Sequence, residues 1–164
     1  MRKGQRSQRN FTARTSAPPM DPRVPGLHLR LTSRNPGSLQ RGAPVYFRRI
    51  EVGKVQGMEL RRDGEGVEVY VVIEPRYAHF VQEGVRFWNV SGLRATASLT
   101  EGVEVEADSL MSLLRGGIAF GIRREDLGKG GQAKNGDQFP LFSSREAAME
   151  GEYKFKSALS VPRG

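Results

Sequence analysis

Two histidines, His28 and His79, are the side chains best suited to proton transfer or metal binding near neutral pH, and they stand 51 positions apart. Neither adjoins a nucleophile-elbow motif, so the chain nominates no nucleophile with its base. It has no His-Glu-x-x-His, no calcium-loop spacing and no cysteine, which removes disulfides and thiolate metal sites. Gly128-Lys129-Gly130-Gly131 is glycine-rich, yet the G-x-x-x-x-G-K-[ST] spacing of a phosphate loop is missing. Paired carboxylates could do acid–base work, but Asp and Glu are scattered along presumed solvent faces of strands and no pair stands out. These residue types point away from an enzyme and imply no cofactor.

The chemistry that remains is apolar. Leu110, Leu113 and Leu114 fall at i, i+3 and i+4, with Met111 beside them, between Asp108 and Arg115-Gly116-Gly117. On a helix this spacing makes a one-sided ridge, which either packs on its own core or protrudes as a surface for a partner or ligand. Nucleic-acid binding is the rival reading. Aromatics interleave with arginine only in Val45-Tyr46-Phe47-Arg48-Arg49, and a strand there would put Tyr46 and Arg48 on one face and Val45, Phe47 and Arg49 on the other.

The elements that must position these groups are short. A length of 164 residues fits one ordinary domain plus extra pieces, and 20 glycines with 9 prolines favour an all-β or β-dominated domain with frequent turns. Of the +8 net charge, residues 1–25 hold six Lys/Arg against one acid. The pI near 10.3 therefore reflects a basic tail more than a basic groove. Few apolar groups occur in residues 1–25, so disorder is expected there, as a linker or as a basic arm for anionic lipid or nucleic acid. The start lacks the apolar core of a secretory signal, and no run reaches the roughly 18 apolar residues that a membrane helix needs.

Strict alternation in Leu27-His28-Leu29-Arg30-Leu31 predicts a half-buried strand, and Val67, Val69, Val71 and Ile73 predict another, entered through a hairpin at Asp63-Gly64. A strand opens at Pro44, and Gly53 is expected to turn the chain before Val55. A helical turn is expected at 77–81, and short strands at 86–90 and 102–106. Trp88 is expected as a core anchor. Residues 123–137 read as a mobile loop, 138–142 as an edge strand, 143–149 as a capped helix and 153–155 as a truncated strand.

Several ordered motifs carry a family likeness. Gly42-Ala43-Pro44-Val45-Tyr46-Phe47-Arg48 and Val52-Gly53-Lys54-Val55, after Gly26 to Leu39, resemble the opening "G-x-P-V-x-[YF]-R" and "V-G-x-V" signature of the MCE domain family. Phe87 to Gly92 and Ser109 to Phe120 are similar to later motifs of its paraquat-inducible protein B branch. The resemblance implies a seven-stranded MCE-type β-barrel over residues 26–142 with a protruding pore-lining loop. Residues 143–164 would then hold a short helix and the opening of a following repeat. It also implies a homo-oligomer, a ring of six copies, whose hydrophobic pore passes phospholipid between inner and outer membranes. Leu110, Met111, Leu113 and Leu114 would line that pore, while Val45, Val52, Val55, Val69, Val71, Trp88, Ile118 and Phe120 are structural. The implied location is the periplasm, with an inner-membrane anchor and inner-membrane partner proteins belonging to a longer assembly. Two departures stand out: Gly121-Ile122-Arg123 replaces Asp-Thr-Pro, and Arg49-Ile50 stands where Gly-Ile or Gln-Ile is common.

Overall fold

The computed structural model describes residues 19–90 and 116–150. Among them, seven strands close into a barrel: β1 (Leu27–Ser33), β2 (Pro44–Phe47), β3 (Ile50–Leu60), β4 (Val67–Ile73), β5 (Val85–Val90), β6 (Gly117–Ile122) and β7 (Gln138–Phe142). Around the barrel they run β1-β4-β3-β2-β6-β5-β7, and β7 returns to β1. β1 with β4, β2 with β3, β3 with β4 and β5 with β6 are antiparallel, whereas β2 with β6, β5 with β7 and β1 with β7 are parallel. Closure leaves these seven described strands without an unpaired edge to template aggregation.

Period-two patterning decides what faces inward. Leu29 and Leu31 of β1, Val69, Val71 and Ile73 of β4, and Phe87 of β5 are sealed from solvent. Phe87 sits 5.1 Å from the Phe120 ring and 5.2 Å, edge-on, from Phe139, which ties β5, β6 and β7 together through the interior. Burying each such side chain is worth about 1.5–3 kcal/mol. A 3₁₀ turn (Pro75–Phe80) after β4 packs Tyr77 and Ala78 against the core, and a short helix, α1 (Arg145–Glu150), packs outside β5 and β7. Ser144 caps α1, its hydroxyl accepting the Ala147 N–H at 3.1 Å.

Several expectations are corrected by the tertiary context. Gly53 lies inside β3, and the turn before it is at Arg48–Arg49, between the paired residues Phe47 and Ile50. Glycine is needed at 53 because a Cβ there would sit 2.2 Å from the Val72 carbonyl oxygen on the neighbouring strand. β7 is no edge strand: residues 138–140 run beside β1 and 141–142 beside β5, and Pro140 falls where the partner changes. Trp88 is not a core anchor, since it points outward and is half-buried, and Phe87 takes that place.

The tail is not free throughout, because residues 19–25 lie on the barrel wall. The His28 ring contacts the Val24 carbonyl at 2.7 Å and Gln56 Oε1 at 3.2 Å, and Gln56 donates to the Asp21 carbonyl. His28 is thereby buried although it faces away from the core. The 123–137 stretch is likewise tied down, with Ala133 N–H bonded to the Val81 carbonyl and Gly136 N–H to that of His28. Residues 1–18, the strands expected at 102–106 and 153–155, and the rest of the 143–164 segment after Glu150 lie outside the described residues.

Candidate functional site

The expected pore-lining residues, Leu110, Met111, Leu113 and Leu114, also lie outside the described residues. The frame that carries them is described. Val90 at the end of β5 pairs with Gly117 at the start of β6, so segment 91–115 leaves and rejoins the barrel at adjacent points. That base is clamped on both sides. Asn89 donates through its amide nitrogen to the Pro36 carbonyl at 2.7 Å. Gly116 takes φ +70° against Ser38, whose hydroxyl would lie 2.9 Å from any added Cβ. Only glycine meets both demands without strain, which gives Gly116 a backbone reason.

The hairpin tip at the other end of the barrel has an unusual backbone. Arg48 and Arg49 have φ of 51° and 71°, the positive pair that a two-residue I′ turn requires and that Asn-Gly normally supplies. Because both arginines sit in the turn, the strand alternation expected for residues 45–49 stops at Phe47, and both reach the same outer cleft. This cleft, about 740 Å³, lies against β2, β6 and β5 and is also lined by Trp88, Arg145 and Met149. Gly121 leaves room for the indole, since its Cβ would meet the Trp88 ring at 3.3 Å. Arg48 further rests 5.6 Å from the Phe47 ring centroid.

A second cleft of about 670 Å³ opens on the far side of Phe47 and Arg48. It holds three exposed apolar residues, Ile50, Phe80 and Leu127, which are 57%, 40% and 58% accessible and so form a patch, not scattered singletons. Phe80 packs 5.0 Å from Phe47 and 4.0 Å from the His79 ring. The replacement Gly121-Ile122-Arg123 shapes this end: Ile122 borders both clefts, and Arg123 donates to Asp126 at 2.7 Å across a 3₁₀ turn. That bond holds the Asp126 carboxyl below the usual carboxylate range. Sequence reading missed this surface, and the signal was the Arg-Arg pair filling a turn position suited to glycine.

No group of three or more His, Cys, Asp or Glu among the described residues could hold a metal ion. His28 fastens the 19–25 segment and His79 lies against Phe80, so each has a structural contact. No helix among the described residues is long and apolar enough to cross a membrane.

A closed seven-stranded barrel with a long insertion from its β5–β6 hairpin is the architecture of an MCE-type domain. Residues 25–128 match the family model described as MlaD protein, and the chain belongs to that MlaD/MCE family. It is 38% identical over 125 residues to the lipophilic envelope-spanning tunnel protein B of Escherichia coli strain K12, covering 76% of this chain and 14% of that protein. It is 31% identical over 141 residues to a probable intermembrane transport protein of Haemophilus influenzae, covering 86% of this chain and 15% of that protein. The chain thus spans about one seventh of the length of these curated relatives.

Proposed function

We propose that this chain is a non-enzymatic lipid-transport module of the cell envelope, one barrel of a longer periplasmic protein anchored in the inner membrane. Residues 26–142 form the module and 143–164 lead toward a following repeat. Six copies close into a ring, and segment 91–115 turns Leu110, Met111, Leu113 and Leu114 toward its centre, where phospholipid passes between inner and outer membranes. The observation that carries this reading is the clamped base at Val90 and Gly117: a rigid frame presents a long segment bearing four uncharged apolar residues. The names of the two relatives point the same way.

The physics of such a conduit needs no catalyst. Each methylene removed from water gains about 0.8 kcal/mol, so an acyl chain enters readily. Near-equal affinity along the wall lets it move on, and direction comes from the inner-membrane partner proteins. The test is purification of the chain with its neighbouring repeats, followed by native mass measurement and a photo-crosslinker at Leu113. Six copies with phospholipid crosslinked at that position is the expected result. A ring that yields neither co-purified phospholipid nor a crosslink overturns the reading.

A further inference from the structure

The outer cleft is not used by transport through a central pore, and its composition specifies a ligand. Exposed Arg48, Arg49 and Arg145 converge on it with half-buried Trp88 and Met149, and no carboxylate lines it. Among the described residues none of the three arginines has an acidic partner. Two of them occupy positive-φ positions that glycine or asparagine would fill without strain. Strained residues persist where the surrounding structure insists on them, and they gather at binding sites. A cationic cluster beside apolar surface, continuous past Phe47 with the exposed Phe80 and Leu127, matches a molecule with a phosphate at one end and hydrocarbon at the other. Guanidinium groups hold phosphate through paired hydrogen bonds, and the cleft volume lies in the range of small-molecule sites.

We propose that this cleft binds an acidic phospholipid on the outside of the barrel, its phosphate held by Arg48, Arg49 and Arg145 and its acyl chain laid over Trp88 toward Phe80. The inference rests on the reading that the domain works among lipids, but it uses the outer wall and not segment 91–115.

Trp88 is the one tryptophan of the chain and so reports on the cleft directly. The full chain is titrated with vesicles of brominated-acyl phosphatidylglycerol and, separately, of brominated-acyl phosphatidylcholine, and quenching of its fluorescence is followed. The expected result is half-maximal quenching at a tenfold or lower concentration of the acidic lipid. The triple variant R48Q/R49Q/R145Q loses this preference while keeping its lipid-free emission spectrum, and R34Q/R62Q, changed at exposed arginines outside the cleft, keeps the preference. Equal quenching by both lipids, a triple variant that behaves like the parent, or a Trp88 shielded from both lipids by a second copy overturns the proposal. Failure of the pore reading is distinguishable, because it removes the Leu113 crosslink and leaves Trp88 quenching intact.

Discussion

Arg49 holds a backbone conformation with φ 71° that costs a non-glycine residue about 1 kcal/mol or more. Arg49→Gly should therefore stabilise the barrel by about 1 kcal/mol, raising the thermal midpoint by several degrees while weakening acidic-lipid quenching of Trp88. An unchanged or lowered midpoint would show that the turn carries no strain. A second prediction concerns Tyr70 on the outer wall. Its hydroxyl lies 2.5 Å from a Glu59 carboxylate oxygen and 2.9 Å from one of Glu68. Burial, then hydrogen bonding to these two carboxylates, holds the phenol above the usual tyrosine value of 10. The folded state keeps this proton more tightly than the unfolded chain, so the stabilisation is fully present below pH 10 and is lost as pH rises beyond it. Tyr70→Phe should flatten that alkaline decline in a denaturant series, and an equally steep decline would assign it to other groups.

At the scale of elements, alternation was the readable signal and partnership was not. Leu27 to Leu31 and Val67 to Ile73 announce β1 and β4 because one face of each meets the core and period two records it. Position 53 misled because a glycine that admits a neighbouring backbone looks, in sequence, like a glycine that turns the chain. Trp88 and Phe87 are adjacent, and only register told which of them entered the barrel. The same limit hid the role of His28, whose partners come from residues 19–25 and from β3. Replacing it by leucine keeps the burial and removes both contacts, at about 1–2 kcal/mol. His28→Leu should lower the melting temperature and expose the stretch around Arg23 to trypsin. Protection equal to that of the parent would mean that Pro19 over Gly57 suffices to hold the segment.

For the whole molecule, the barrel closes through parallel contacts between segments far apart in the chain, with β7 inserted between β1 and β5. Segment 91–115 joins that closed frame where Val90 pairs with Gly117, and the Phe87–Phe139 contact closes the interior among the described residues, so the proposed pore lining has a direct test in stability. If Leu113 lines the proposed pore, Leu113→Asp should leave the unfolding free energy within about 0.5 kcal/mol of the parent and stop lipid passage through the proposed ring. Collapse of the fold on that substitution would place Leu113 in the core, because burying an unpaired carboxylate costs far more.

The chain by itself determined a β-rich domain, its family and the inward residues of β1 and β4, since residue type and period act over a few neighbouring positions. Only the tertiary structure decided the insertion of β7 between two distant strands, the outward turn of Trp88 and the meeting of Arg48, Arg49 and Arg145 in one cleft. Those outcomes depend on register and on close approach between segments remote in sequence, which no local pattern encodes.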